Sequence, residues 1–333
     1  MTATTFNALV ITETEDKHYL REIKTKHVDD LPAGDVLVRV HYSSLNYKDA
    51  LSASGNRGVT RKYPHTPGID AAGVVASSSD GRFKPGDEVI VTSYDLGMNT
   101  AGGFGQYIRV PAGWVVPLPA GMTLREAMCY GTAGFTAGLS VFQLIGHGVS
   151  PDDGEVLVSG ATGGVGGLAV AILTKLGYRV AAVNGLVDAS EYLKQIGAKR
   201  IISIAEATDT SGRPLLKSQW SGSIDTVGGD ILATSIKSVN AHGTVTACGN
   251  AASPELPINV YPFILRGVTL VGIDSQNCPM PERIKTWQKL AGEWKIPMME
   301  AVVQEIGMTD LDTSIERMLK RQHRGRSVVR MID

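Results

Sequence analysis

Over the first third of the chain, hydrophobic and polar positions alternate in short runs cut by turn residues. VLVRVH at Val36–His41 follows the turn Pro32-Ala33-Gly34-Asp35, Gly73–Ala76 follows Pro67-Gly68, and EVIVT at Glu88–Thr92 follows Gly86-Asp87. This period-two pattern predicts a small antiparallel β domain from Met1 to about Met122. From Asp153 the rhythm changes, and apolar strands alternate with helical stretches at intervals of roughly 20–25 residues, as in βαβ units with a parallel sheet. Strands are expected near Val156–Ser159, Arg179–Val183, Arg200–Ile204, Ser223–Val227, Gly243–Cys248 and Val268–Ile273. Helices are expected near Val165–Leu176, Ser190–Ile196 and Ile231–Val239. After Pro279 comes helix, loop and a final apolar strand, Ser327–Ile332, which rejoins the first domain.

Composition narrows the class. The 333 residues, 43 % of them hydrophobic, suffice for two packed domains. Lys and Arg number 32 against 33 Asp and Glu, so no basic field is available for nucleic acid. Apolar stretches such as Leu168–Leu173 are too short to span a bilayer, and MTATTFNALV has no cationic segment before an apolar one. Cys129, Cys248 and Cys278 are scattered and lack CxxC spacing, which excludes a disulfide framework or a cysteine-rich zinc site and suits a reducing cytoplasm. Glycine is enriched, at 38 residues of 333.

The position of those glycines is informative. EVLVSGATGGVGGLAVAILTKLGY, over Glu155–Tyr178, runs from a strand through Gly160, Gly163, Gly164, Gly166 and Gly167 into an apolar helix. Glycines let the backbone approach a pyrophosphate, while the free amides and positive dipole of the helix start stabilise its charge. Thr162, Gly163, Gly164 and Val165 are the expected phosphate contacts. An acidic residue ending the second strand would hold the ribose of NAD. Asn184-Gly185-Leu186 stands there instead, which leaves room for a 2′-phosphate and favours NADPH. Lys199 and Arg200, opening the next strand, either supply the cation for that phosphate or are solvated strand-edge charges.

Taken together, SLNYKDAL (Ser44–Leu51), PGIDAAG (Pro67–Gly73), PGDEVIVT (Pro85–Thr92), GTAGFTA (Gly131–Ala137), GATGGVG (Gly160–Gly166), IDTVGG (Ile224–Gly229), PFILRGVTLVGIDS (Pro262–Ser275) and GRSVV (Gly325–Val329) resemble the zinc-free medium-chain dehydrogenase/reductases. The subgroup is that of the YhdH/YhfP-type quinone oxidoreductases, which includes acryloyl-CoA reductases. The resemblance covers nearly the whole chain. It implies an α/β protein with a GroES-like β-rich catalytic domain and a Rossmann domain built on a doubly wound parallel sheet, with the cofactor between them. The expected divisions are 1–125 for the first part of the catalytic domain, 126–265 for the NADPH-binding domain, and 266–333 for the sheet's edge strand and the return.

The resemblance implies further cofactor contacts by Tyr47, Thr132, Cys248, Gly249, Ile264, Ser275 and Arg326. Zinc-using relatives have a cysteine and a GHE segment where this chain has Asn46-Tyr47-Lys48-Asp49 and Gly68-Ile69-Asp70, so no catalytic zinc is expected. The subgroup tends to carry an arginine where Leu186 stands here, so the phosphate assignment rests on Arg200.

The chemistry must then come mainly from the cofactor. Tyr47 and Asn46 are the catalytic candidates: Tyr47 to pack on the nicotinamide or donate a proton, Asn46 to bind a carbonyl or the ribose, or else to close a local turn. Asp49 and Asp70 are read as structural. The Thr132 hydroxyl either reaches the nicotinamide or caps a helix, and the Cys248 side chain is read as packing. Arg57, Arg61 and Lys62, in the loop Gly55–His65, either bind the phosphates of coenzyme A or are a solvated face. Gly325-Arg326 is a candidate to close over the cofactor. Three functions compete: NADPH-dependent reduction of a short enoyl-CoA such as acryloyl-CoA, quinone reduction, and non-catalytic NADPH binding. The strand Val268–Ile273, apolar on both faces at the sheet edge, predicts a homodimer.

Overall fold

The computed structural model describes residues 4–186, 188–297, 300 and 302–332. The chain divides into two compact units, one of Met1–Thr132, Gln276–Ala291 and Val303–Asp333, the other of Ala133–Ser275 and Gly292–Val302. The stretch 292–302 thus groups with the second unit, whereas the sequence suggested an uninterrupted return to the first.

The first unit is β-rich. β1 (Thr5–Glu13) and β2 (Tyr19–His27) form an antiparallel hairpin, and β3 (Val36–Leu45) leads into the short helix α1 (Tyr47–Ala53). β4 (Asp70–Ser78), β5 (Glu88–Thr92), β6 (Tyr107–Val110) and β7 (Val115–Pro117) follow before helix α2 (Leu124–Gly146). The alternation in VLVRVH places Val36, Val38 and Val40 in the core, while Arg39 faces solvent.

The second unit alternates strand and helix: β8 (Glu155–Val158), α3 (Gly164–Lys175), β9 (Arg179–Asn184), α4 (Ser190–Gln195), β10 (Arg200–Ser203), β11 (Trp220–Asp225), α5 (Gly229–Ser238), β12 (Val239–Ala247), α6 (Tyr261–Arg266) and β13 (Thr269–Gly272). All pairings in this six-stranded sheet are parallel, in the order β10-β9-β8-β11-β12-β13. Every residue of β11 is buried, as a parallel strand covered on both faces requires.

The chain returns to the first unit with α7 (Met280–Ala291), β14 (Val303–Gly307), α8 (Leu311–Leu319) and β15 (Arg326–Arg330). β15 pairs antiparallel with β3, completing a seven-stranded sheet in which six strands run in the order β14-β15-β3-β4-β5-β7 and β6 also pairs with β3, and places Arg326 one residue before the Ser327–Leu45 pair. One sequence expectation changes here: α2 is long and apolar enough to cross a membrane, although 72 % of its most apolar window is buried. A left-handed glycine, Gly131, also breaks its helical backbone at φ 52° and ψ −157°. Burial and the break make it a core helix.

Candidate active site

The glycine turn lies where strand order reverses. β9 and β10 extend the sheet to one side of β8, and β11 to β13 to the other, so the carboxyl ends of β8 and β11 flank a topological switch point, the usual ligand position in such sheets. α3 starts from Gly163 as its N-cap, and the first-turn amides of Gly164, Val165 and Gly166 have no intrahelical acceptor. Gly166 is required by close approach, because a Cβ there would lie 2.3 Å from the Gly160 carbonyl oxygen.

Across the switch point, the Ser159 hydroxyl donates to Asp225 Oδ1 at 2.6 Å, and Asp225 Oδ2 accepts from the amides of Val227 (3.1 Å) and Gly228 (2.7 Å). Burial pushes this carboxyl above its ordinary range. Sequence reasoning passed over Asp225 as a site organiser, although the quoted IDTVGG segment contains it.

The remaining dinucleotide candidates separate by sheet edge. Asn184 ends β9, and its Oδ1 accepts from the Leu186 amide at 3.0 Å, fixing Asn184-Gly185-Leu186 as a turn at the carboxyl edge. Cys248 follows β12 at the same edge and donates its thiol to the Asp225 carbonyl oxygen (3.2 Å). Burial pushes that thiol up to about 12, so Cys248 packs and is no nucleophile at neutral pH. Gly249 follows it, and Ser275 lies beyond the carboxyl end of β13.

Arg200, in contrast, opens β10 at the opposite edge. It pairs with Ala181, while Ser203 pairs with Asn184, so about 10 Å of strand separates the two positions. Its guanidinium lies 3.4 Å from Glu155 and 4.6 Å from the Trp220 ring centre. These contacts correct the expectation that Arg200 reads the 2′-phosphate; a residue that opens a parallel strand faces away from the phosphate turn. Ile264 is corrected on the same ground. It sits on α6, whose Arg266 binds the Lys237 and Val239 carbonyls at the amino end of β12, and it is 66 % exposed.

The first unit holds a buried polar cluster. Asp70 Oδ2 accepts from Ser44 Oγ (2.5 Å) and Asn46 Nδ2 (2.8 Å), and Oδ1 accepts from the Thr132 hydroxyl (2.6 Å). The Thr132 amide donates to the same carboxylate at 3.0 Å, and Ser93 Oγ lies 2.9 Å from the Thr132 hydroxyl. Arg326 donates to the Leu45 carbonyl oxygen (3.1 Å), Asn46 Oδ1 (3.0 Å) and Ser44 Oγ (2.6 Å). Gly131 makes room, since a Cβ there would lie 2.4 Å from Asp70 Oδ2 and from Ser44 Oγ.

Asp49 closes the cluster, accepting the amides of Asn46 (2.8 Å), Gly68 (3.1 Å) and Ile69 (2.8 Å). Burial and, second, the charge of Asp70 push its carboxyl up to about 7. Both carboxylates thus accept hydrogen bonds from the chain's own backbone and side chains.

The cluster revises two other roles. Asn46 commits its amide hydrogens to Ser44, Asp49 and Asp70, leaving none for a substrate carbonyl, so it positions the start of α1. Arg326 is buried and satisfied, so it does not close over a cofactor as a lid. Tyr47, the first residue of α1, is 52 % exposed, and its hydroxyl has no hydrogen bond among the described residues. Of the two catalytic candidates, Tyr47 alone presents a free polar group.

In the loop Gly55–His65, Arg57 is also committed. It pairs with Glu13, donates to the Arg61 carbonyl oxygen (2.6 Å) and lies over the Tyr63 ring. Arg61 and Lys62 are exposed and form no ion pair among the described residues.

Residues 32–120 match the alcohol dehydrogenase GroES-like domain family, and residues 164–293 the zinc-binding dehydrogenase family. The chain is 46 % identical over 310 residues to YhfP of Bacillus subtilis, a name assigned to the quinone oxidoreductases, covering 93 % of this chain and 94 % of that one. It is 45 % identical over 325 residues to the acrylyl-CoA reductase AcuI of Ruegeria pomeroyi, covering 97 % of this chain and 98 % of the relative. Among solved structures, the YhdH oxidoreductase of Salmonella enterica in complex with NADP superposes with a TM-score of 0.95 at 44 % identity, covering 98 % of this chain and all of that one. The chain belongs to the zinc-free medium-chain dehydrogenase/reductase family. It is an oxidoreductase, and its two units have the GroES-like and Rossmann folds of that family.

The zinc in the second family's description does not fit these residues. Among those described, no group of three His, Cys, Asp or Glu side chains is placed to hold a metal. The Arg326 guanidinium, 3.7 Å from Asp70, already supplies the positive charge a metal would bring.

Proposed function

We propose that the chain reduces the 2,3 double bond of a short enoyl-CoA thioester, acryloyl-CoA to propionyl-CoA, with NADPH as donor. End-to-end similarity to an acrylyl-CoA reductase carries this reading. The turn between β8 and α3 fits a dinucleotide, since its backbone approaches too closely for a side chain at Gly166 and its helix amides face outward. Thr162 to Val165 would hold the pyrophosphate, and Asn184 to Leu186 the adenosine ribose. When bound, the dinucleotide supplies the hydride.

The protein's own part is to orient and polarise. Hydride addition at the β-carbon moves charge to the thioester oxygen, and the α-carbon then takes a proton. The free hydroxyl of Tyr47 is the donor nearest in kind to that task, and Asn46 and Asp49 fix the helix start that carries it. A second copy of the chain covers the edge of β13, beside which Val260 and, on α6, Ile264 and Leu265 are exposed. A quinone oxidoreductase is the second reading, favoured by the identity to YhfP.

NADPH oxidation measured in parallel with acryloyl-CoA, crotonyl-CoA and a benzoquinone separates these readings. Acryloyl-CoA should give the highest kcat/KM, with deuterium from labelled NADPH at the β-carbon of the propionyl product and solvent deuterium at the α-carbon. Turnover of the quinone alone would establish the second reading, and turnover of none would reject both. Tyr47→Phe should lower kcat sharply with NADPH affinity kept if the hydroxyl donates the proton, and should keep kcat if solvent does.

A further inference from the structure

We infer that a cavity of about 540 Å³ in the first unit, lined by Arg61, Lys62, Asp95 and Asn99, binds the phosphate-bearing end of a coenzyme A thioester. The inference rests on the enoyl-CoA reading above. The cavity lies within the range of small-molecule sites, and the rim holds two exposed cations without ion-pair partners among the described residues.

The surrounding contacts fix the backbone and leave those cations available. The Arg61 amide donates to Asn99 Oδ1 (3.2 Å), and the Arg61 carbonyl accepts from Arg57 (2.6 Å). Arg57 is neutralised by Glu13, so it anchors the loop and is itself unavailable to a ligand. Ser52 and Thr60 hydroxyls lie 2.7 Å apart in the interior, and the Tyr63 hydroxyl donates to the Ser52 carbonyl oxygen (2.6 Å), tying the loop to α1.

Asp95, the one acid in the lining, has both oxygens occupied. Asn99 Nδ2 donates to Oδ1 (3.0 Å) and the Thr100 hydroxyl donates to Oδ2 (2.9 Å). Neutral donors leave the Asp95 charge in place, so the lining carries two exposed cations against one hydrogen-bonded carboxylate, a net positive charge. Coenzyme A offers the matching chemistry, a 3′-phosphate and a diphosphate, and an arginine beside a lysine suits a phosphate dianion. A quinone has no phosphate to pair with these cations.

The test is calorimetric binding of free coenzyme A, dephospho-coenzyme A and inorganic phosphate to the wild-type protein and to Arg61→Gln/Lys62→Gln. Both residues are exposed, so the variant should fold with an unchanged Tm. The wild type should bind coenzyme A about tenfold more tightly than dephospho-coenzyme A, with the advantage shrinking as salt rises. The double variant should lose that advantage and show a raised KM for acryloyl-CoA at unchanged kcat. Its kinetics with acryloyl-N-acetylcysteamine, which has no phosphates, should match the wild type. Equal coenzyme A affinity in both proteins, with acryloyl-CoA still reduced, would overturn the subsite and leave the enoyl-CoA reading standing. Inorganic phosphate binding as tightly as coenzyme A would reduce the cavity to a general anion site and reject the assignment. Failure of the wild type both to bind coenzyme A and to reduce acryloyl-CoA rejects reading and subsite together.

Discussion

Arg326 and Asp70 lie 3.7 Å apart with both side chains closed to solvent, joined through Ser44 and Asn46 as well as by charge. Burying two charges is costly, and the cost is offset only when the remaining donors and acceptors are satisfied. Here they are. Removing one partner strands the other charge in the interior, so Arg326→Gln should lower the stability of the protein by roughly 3–5 kcal/mol, measured as a shift in urea unfolding. A loss below about 1 kcal/mol would show that the pair is solvated in solution.

Asp49 adds a pH dependence of definite sign. Its carboxyl titrates near pH 7 in the folded chain and near 3.9 when unfolded, so the native state favours the protonated form. That contribution is fully present below the unfolded value and is lost as pH rises through about 7. Stability should therefore fall between about pH 4 and 7, and Asp49→Asn should flatten that slope. Unfolding curves across this range check it, and parallel slopes for the two proteins would remove Asp49 as the titrating group.

The placement of Arg200 makes a negative prediction. Arg200→Ala should leave the NADPH KM within about twofold and cost no more than about 1 kcal/mol of stability, since the Glu155 contact is partly exposed. Leu186→Arg, at the carboxyl edge beside Asn184, should tighten NADPH binding and leave NADH unaffected. Fluorescence titration of both cofactors tests the pair, and a selective loss of NADPH affinity in Arg200→Ala would restore Arg200 to the phosphate site.

The proposed dimer would cover the exposed face of α6. Sedimentation should give twice 35.4 kDa, and Ile264→Glu with Leu265→Glu should return the mass toward one chain without lowering the Tm. A wild-type mass of one chain at micromolar concentration would dispose of the dimer.

Features built from near neighbours are legible in the residue order alone. The alternation in VLVRVH, the glycines between Val158 and Leu168, and the change from period-two runs to βαβ spacing specify strand, turn and helix because each depends on residues a few positions apart. They led to the fold and to the phosphate turn. Tertiary structure decided which candidates meet. Ser44, Asn46, Asp70, Gly131 and Arg326 span 282 residues of chain and converge because β15 pairs with β3 and carries Arg326 to Leu45. No local pattern encodes that register. Arg200 shows the reverse case: it is near Asn184 in the sequence, yet the parallel register puts it at the other edge of the sheet. Hydrophobic patterning says which face of a strand is buried; the charges and hydrogen bonds at its ends depend on neighbouring strands, and only the assembled sheet specifies them.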